Sequence, residues 1–230
     1  EYQADSSYQL LLRLCGLSLE LPDPFDKHRD EQAVTRRMAE VKTEVKALLD
    51  QGWEVYAVDE VRLEHEAETR RMWLPRGQRT KLSVDRKKTS QSFFGALSLT
   101  SKKVKLYPIE GNQNTEQTIL ALDRLQRETE TEKIAVVLDN ARFHHAKALT
   151  DLYEPGQLLE RITPIHLPPY APDHNPAGHV WNAAKSNIAN IQRETPEETF
   201  GAFASHVTGR TVDYDSEHLP LRETRNDFVS

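Results

Sequence analysis

Two acidic residues, Asp59 and Asp139, each follow a short apolar run and have the clearest chemical potential in this chain. The run 55–58 (VYAV) ends on Asp59 and Glu60, and the run 136–138 (VVL) ends on Asp139. Such a pattern is typical of a buried strand that carries a carboxylate at its end. Mg²⁺ prefers oxygen ligands and takes one or two carboxylates together with water and substrate phosphate. The pattern therefore predicts a shared metal site and phosphoryl-transfer chemistry on a nucleic acid.

The elements that position these acids follow from the spacing of the apolar residues. Strands are predicted at 53–59, 71–74, 92–99, 104–109, 134–138 and 162–167. Helices are predicted at 8–21, 30–50, 114–125 with Asn114 as N-cap, 145–153, 175–191 and 196–207. Antiparallel strands followed by alternating helices and strands predict an α/β fold, a mixed sheet with helices on its faces. If the strands that end at Asp59 and Asp139 are neighbours, the two carboxylates meet at one edge.

Length and composition restrict the class of protein. The chain has 230 residues, of which 37% are hydrophobic, and no apolar run approaches the roughly 18–20 residues that span a bilayer. The single cysteine, Cys15, excludes an internal disulfide and a cysteine-based zinc site, and it fits a reducing cytoplasm. No signal peptide is visible, and the chain opens on Glu1 rather than Met, which is typical of a fragment or processed chain.

Charge is strongly segregated along the chain. Residues 70–105 contain eleven Lys and Arg and one acid, a local net charge of +10 in a chain whose total is −6. A segment of this kind can form a phosphate-attracting face on an acidic protein. A solvated basic surface is the equally open alternative.

Three segments together resemble the DDE transposases of the mariner-type superfamily, with the bacterial insertion-sequence branch closest. They are 58–60 (VDE), 138–141 (LDNA) and 167–176 (LPPYAPDHNP), and 73–77 (WLPRG) adds to the likeness. The resemblance implies a ribonuclease H-like DDE catalytic domain at 53–208. It also implies the end of a helix-turn-helix DNA-binding region at 1–22, a linker and helix at 23–52, and a polar tail at 209–230.

In that family three acids hold two divalent ions, Mg²⁺ or Mn²⁺, and the resemblance implies Asp59 and Asp139 as the first two. The third acid stands in the pattern Asn-Pro-X-Glu-His-X-Trp, where this chain has NPAGHVW at 175–181, so Gly178 replaces the glutamate. Glycine costs roughly 1 kcal/mol relative to alanine inside a helix. The flanking match favours a lost glutamate over a structural glycine and predicts severely reduced activity. Substitute ligands are conceivable at Asp173, Glu194 and Glu197.

Other residues have weaker assignments. Glu60 is predicted to point away from Asp59 and to act on the site indirectly, and His179 to contact a phosphate or leaving group. Asn140 orients Asp139, contacts DNA or forms a turn. Trp181 is assigned to the core. The histidines at 144, 145, 166, 174 and 179 lack the spacing of a recognised zinc motif. Candidate DNA contacts are Arg76, Arg79, Lys81, Arg86, Lys87, Lys88, Arg142 and Lys185, the last two being equally consistent with a solvated role.

The resemblance implies metal-dependent cleavage at the ends of a cut-and-paste insertion sequence, followed by strand transfer into target DNA. Its partners would be double-stranded DNA, as terminal inverted repeats and target, and a second copy in a homodimer. Its place would be the bacterial cytoplasm, at the nucleoid when bound to DNA. Two alternatives stay open: a ribonuclease H-like structure-selective DNA nuclease, and a non-catalytic DNA-binding or dimerisation derivative, which Gly178 favours.

Overall fold

A computed structural model describes residues 5–17, 27–74 and 80–212. Its centre is a five-stranded mixed sheet in the order β3-β2-β1-β4-β5. The strands are β1 (Glu54–Glu64), β2 (Ser90–Ser98), β3 (Val104–Ile109), β4 (Ile134–Leu138) and β5 (Ile162–His166). The pairs β1–β2 and β2–β3 are antiparallel, whereas β1–β4 and β4–β5 are parallel. The expected mixed sheet is confirmed, and the strands that position Asp59 and Asp139, β1 and β4, are neighbours.

Six α-helices are described along with the sheet. They are α1 (Asp5–Leu14), α2 (Glu31–Asp50), α3 (Thr115–Arg127), α4 (Lys147–Thr150), α5 (Pro176–Ile188) and α6 (Pro196–Thr208). No described helix is long and apolar enough to cross a membrane. Side chains cap four of these helices at their first turn, which satisfies backbone N–H groups that have no partner inside the helix. Asn114 caps α3 as its sequence position predicts.

The alternation of side chains along β1 divides the core into two layers. Val55, Ala57, Val61 and Leu63 face a cluster shared with α2, α5 and α6. The intervening residues face a second cluster that includes the apolar side of α3. Because successive strand residues point to opposite faces, Asp59 lies on the face covered by α5, and Glu60 lies on the other. The sequence assigned helix α2 to a linker between the helix-turn-helix end and the catalytic domain. In the structure it packs on the sheet through Met38 and Val41.

The strand expected at 71–74 is wrong, because that stretch contains no strand. Its neighbourhood bonds to side chains instead of to another strand. The Asn190 side chain accepts from the Arg70 N–H and donates to the Arg70 carbonyl, at 2.8 and 3.1 Å. The Gln192 side chain accepts from the N–H groups of Ala67 and Asp85. The described residues 65–74 and 80–89 of the connection between β1 and β2 are therefore anchored at their base by these side chains.

Two further expectations need correction. The helix expected at 145–153 is broken into 3₁₀ turns at Arg142–His145 and Asp151–Tyr153 around the short α4, because Ala146 has an extended backbone. The first strand extends to Glu64, beyond the predicted end at Asp59. In α1 the leucines expected to form an apolar helix are exposed. Residues 18–26, where the predicted helix at 8–21 meets the predicted linker, and the tail from 213 lie outside the described residues.

Candidate active site

Parallel pairing of β1 with β4 brings the two predicted acids together. Ala57 lies opposite Val137 in this pairing, and each strand reaches its aspartate two residues later. Asp59 and Asp139 are therefore neighbours on the same face of the sheet, at the carboxyl end of β4. Both are only partly exposed. The expectation that the two carboxylates meet at one edge is confirmed.

Asp59 is held by two hydrogen-bond donors. Its Oδ1 accepts from the backbone N–H of Glu60, and its Oδ2 accepts from the indole Nε1–H of Trp181, both at 3.0 Å. Burial, together with the charges of Glu60 and Asp139, raises the pKa of Asp59 to about 7, although the Trp181 hydrogen bond opposes this shift. In the metal-free protein this carboxyl group thus holds its proton far above the usual range of an aspartate.

Asp139 has the opposite electrostatic character. Its Oδ1 accepts from His144 Nδ1 at 2.7 Å and from the Ala141 N–H at 2.9 Å. Burial alone would raise the pKa of Asp139, but the hydrogen bonds from His144 and Ala141 outweigh it and lower the pKa. Two neighbouring carboxyls with divergent proton affinities are a recurring feature of functional sites.

His144 links the two faces of the sheet edge. Its ring is 1% exposed, and its Nε2 lies 3.4 Å from Glu60 Oε1 while Nδ1 contacts Asp139. Burial lowers the pKa of His144, but hydrogen bonds to the two carboxylates outweigh it and raise the pKa to about 9. The sequence interpretation considered His144 only as a zinc ligand and missed this bridge. A histidine five residues after a strand-terminal aspartate was the available signal.

The amino end of α5 is fixed beside Asp59. Asn175 caps the helix by accepting from the Ala177 N–H, and its Nδ2 donates to the Val58 carbonyl at 2.8 Å. Trp181, on the next turn, donates to Asp59 itself. Gly178 lies midway, three residues from each of these contacts, so its position on the helix is next to the first aspartate.

Nothing in the local structure calls for a glycine at 178. Gly178 lies inside α5 with an ordinary helical φ, and a Cβ built on it has no atom within 4 Å among the described residues. Close packing and left-handed backbone are therefore excluded as reasons for this residue. A longer side chain would therefore meet no close neighbour at its Cβ.

The suggested substitute acids are engaged elsewhere or exposed. Asp173 forms a two-pronged contact with the Arg29 guanidinium, at 2.6 and 3.2 Å. Glu194 and Glu197 are exposed at the start of α6. Among the described residues, no group of three His, Cys, Asp or Glu side chains is arranged to hold a metal ion. Asp59 and Asp139 offer the oxygen ligands that Mg²⁺ takes.

The remaining predicted site residues lie at varied distances from the acids. Glu60 faces His144 rather than Asp59, as expected for an indirect role. The Asn140 side chain donates to the Leu167 carbonyl and contacts His145 Nε2, so it joins the ends of β4 and β5 rather than orienting Asp139. His179 is exposed on α5.

The candidate DNA contacts form two groups. Lys81, Arg86, Lys87 and Lys88 are exposed on the 65–89 connection, whereas Arg76 and Arg79 lie outside the described residues. Arg142 is exposed three residues after Asp139, and Lys185 is half-buried on α5, one turn beyond Trp181. Positive charge therefore lies on the connection, on α5 and three residues after Asp139.

The chain shares a family profile and a fold with known proteins. A family model described as "DDE superfamily endonuclease" matches residues 54–199. No curated protein gives a significant sequence match. The five-stranded sheet with its flanking helices is ribonuclease H-like, and the same fold occurs in solved structures of the Mos1 transposase.

Three of those structures illustrate the likeness. The transposase chain in the Mos1 strand transfer complex is 17% identical in sequence to this chain, with a TM-score of 0.59. The match covers 93% of this chain and 64% of the Mos1 chain. The Mos1 mariner paired end complex with Mn shows 16% sequence identity and a TM-score of 0.60, and the match covers 94% of this chain and 65% of the Mos1 chain. The corresponding complex with Mg shows 17% sequence identity and a TM-score of 0.61, and the match covers 92% of this chain and 64% of the Mos1 chain. This chain thus spans just under two thirds of the matched chains.

Proposed function

Because this chain belongs to the DDE superfamily endonucleases, we propose that it is the catalytic domain of a transposase, disabled at its third acidic position. The carrying observation is the pair Asp59 and Asp139 beside an α5 whose position 178 is open. The active form would cleave DNA at the ends of a cut-and-paste insertion sequence of the bacterial branch and join them to target DNA. The Mos1 complexes support a DNA partner, since they include a strand transfer complex.

Asp59 and Asp139 would act as ligands of a divalent metal ion. Bound Mg²⁺ or Mn²⁺ would supply Lewis-acid activation of a water or 3′-hydroxyl and stabilisation of the leaving oxygen at a phosphodiester. Solved Mos1 complexes with Mn and with Mg support this choice of ions. In this chain His144 keeps Asp139 ionised through a 2.7 Å hydrogen bond. Asp59, whose pKa lies at about 7, would give up its proton when a cation is bound.

Gly178 determines the state of the site in this proposal. Two carboxylates give a divalent cation only part of the oxygen shell that it needs. Burial, together with the neighbouring charges of Glu60 and Asp139, raises the pKa of Asp59 to about 7, so a proton competes with a cation for this carboxylate. The chain as it stands would therefore bind DNA without efficient turnover. A non-catalytic DNA-binding or dimerisation derivative is the second candidate, and the missing side chain at Gly178 is the observation that favours it.

The arrangement of positive charge supports DNA as the substrate. The cationic connection is anchored to the segment that follows α5 by Gln192 and Asn190, so its base is fixed relative to that helix. Phosphate contacts from Lys and Arg give nucleic-acid affinity a steep salt dependence. A homodimer that bridges two DNA ends, and a bacterial nucleoid location, complete the proposal.

Restoring the third acid is the direct test. Gly178→Glu is compared with the unaltered chain on supercoiled plasmid in Mg²⁺ or Mn²⁺, with nicking as the readout. Gly201→Glu is the matched control, because Gly201 also lies inside a helix with open space around it. The proposal expects metal-dependent nicking only from Gly178→Glu. Equal nicking by the unaltered chain would refute the disabled third position.

A second assay separates transposase from nuclease. Labelled DNA duplexes with free 3′-hydroxyl ends are incubated with the plasmid and the Gly178→Glu protein. Joined products indicate strand transfer, whereas nicking without joining indicates a structure-selective nuclease. If neither occurs and DNA is still bound, the non-catalytic derivative is the better account.

A further inference from the structure

The indole of Trp181 has a polar contact that an ordinary core residue lacks. Its side chain is almost fully buried, yet its Nε1–H donates to Asp59 Oδ2 at 3.0 Å. The other carboxylate oxygen accepts from the Glu60 N–H, so both oxygens of Asp59 have a fixed donor. Each oxygen can accept a further interaction. The carboxylate is therefore oriented while it remains able to bind a cation.

Gly95 makes room for this indole. In the antiparallel β1–β2 pairing, Gly95 lies directly opposite Asp59. A Cβ at position 95 would lie 2.1 Å from Trp181 Cη2 and 2.4 Å from Cζ2. The ring thus covers the Gly95 backbone, in space that any other residue would fill. A glycine in the middle of a strand often marks such a close approach.

Packing on the far side fixes the ring in place. The centroids of Trp181 and Phe203 are 6.2 Å apart, and Phe203 is in turn 5.8 Å from Phe93. At the start of α5, the helix that carries Trp181, the Asn175 side chain donates to the Val58 carbonyl. The helix therefore cannot turn or slide without breaking contacts on both sides of Asp59.

The chemistry of the donor is suited to a metal ligand. An indole N–H is a donor only and carries no charge. It can fix the rotation of a carboxylate without cancelling the negative charge that attracts a cation, as an arginine or lysine would. Outer partners of this kind typically change metal affinity or activity 10–100-fold when they are removed.

We propose that Trp181, seated over Gly95, is a positioning residue that holds Asp59 in the orientation for metal binding. The proposal rests on the proposed function, in which Asp59 is a metal ligand. It assigns to Trp181 a role that the Asn-Pro-X-Glu-His-X-Trp pattern alone does not specify. Gly95 is the second half of the device, since the indole reaches Asp59 only across a residue without a side chain.

The contact itself is tested in the metal-free protein by ¹⁵N-labelled indole NMR. The chain has three tryptophans, so three Nε1–H signals are expected, each assigned by a Trp→Phe variant. Asp59→Asn should shift the Trp181 signal and leave those of Trp53 and Trp73 in place. The Trp181 proton should also exchange with solvent more slowly than that of the fully exposed Trp73. A Trp181 signal insensitive to Asp59→Asn would overturn the contact.

The role is tested on the Gly178→Glu background by Trp181→Phe, with Trp53→Phe as the matched control. Trp53 packs against the same core cluster but lies at the start of β1, away from the acids. Trp181→Phe should raise the Mn²⁺ dissociation constant, measured by calorimetry, and the Mg²⁺ concentration for half-maximal nicking by about 10-fold or more. Trp53→Phe should change the Mn²⁺ dissociation constant and the half-maximal Mg²⁺ concentration by less than about 2-fold, well below the 10–100-fold expected for the loss of a positioning partner.

The outcomes separate the two proposals. If the Gly178→Glu parent neither binds metal nor nicks DNA, the proposed function fails, and the NMR result alone decides the Asp59 contact. If the parent is active and Trp181→Phe equals it, the positioning role is wrong. Should Trp181→Phe unfold, 3-benzothienylalanine at 181 keeps the ring shape and lacks the N–H. That protein must show the same loss of metal affinity for the proposal to stand.

Discussion

Replacing Gly95 by alanine places a methyl group inside the space of the Trp181 ring. The new Cβ would lie 2.1 Å from one ring carbon and 2.4 Å from another, with a strand backbone behind it. Overpacking of this kind costs about 1–3 kcal/mol. If the ring is displaced, the hydrogen bond to the Asp59 carboxylate is also lost, at about 1.5–3 kcal/mol. We therefore expect Gly95→Ala to destabilise the protein by about 2.5–6 kcal/mol when the ring is displaced.

Gly201→Ala is the control for this substitution, and it should act in the opposite direction. Gly201 lies inside α6, and beyond its own helix backbone no atom of the described residues is within 4 Å of its Cβ position, so alanine should stabilise the helix by about 0.5–1 kcal/mol. Urea unfolding followed by circular dichroism measures both changes, and Gly95→Ala should also lower the melting temperature by roughly 5–25 °C. Equal stability of the two variants would refute the close approach of Trp181 to the strand.

Two further predictions concern the edges of the site. Asn175→Ala removes both the α5 cap and the hydrogen bond to the Val58 carbonyl, so it should lower the free energy of unfolding in urea by about 2–4 kcal/mol. Asn114→Ala, which removes a cap only, should lower it by about 1 kcal/mol. Equal losses in the two variants would contradict the bond to Val58. The pKa of His144, raised to about 9 from 6.5, gives stabilisation that is complete below pH 6.5 and lost as pH rises through 9. Urea unfolding in EDTA should show this decline, His144→Gln should flatten it, and an unchanged slope in the variant would contradict the bridge.

The sequence predicted the acids because their placement is a local property. An apolar run that ends on an aspartate needs only the chain around it to be recognised, and both β1 and β4 have that pattern. The cap at Asn114 is local in the same way, since its side chain accepts from an N–H three residues later. Periodicity was sufficient for α2, whose buried residues recur every three or four positions.

Contacts between distant parts of the chain were not predictable in this way. Trp181 and Gly95 lie 86 positions apart, and only the fold brings the ring over the strand. His144 contacts Glu60 across two neighbouring strands, and nothing in its own segment specifies that partner. The false strand at 71–74 has the same origin: its apolar residues suit a strand, but the backbone around it bonds to Asn190 and Gln192 side chains.

The most direct measurement is anomalous X-ray scattering from crystals of the Gly178→Glu protein soaked in Mn²⁺, with data collected at the manganese edge. The account predicts anomalous density in contact with the carboxylates of Asp59 and Asp139 and with the carboxylate introduced at 178. The unaltered chain, soaked in the same way, should show weak density or none at this position. Density of equal strength in both proteins, or density away from the two aspartates, would contradict the claim that these three positions form one metal site.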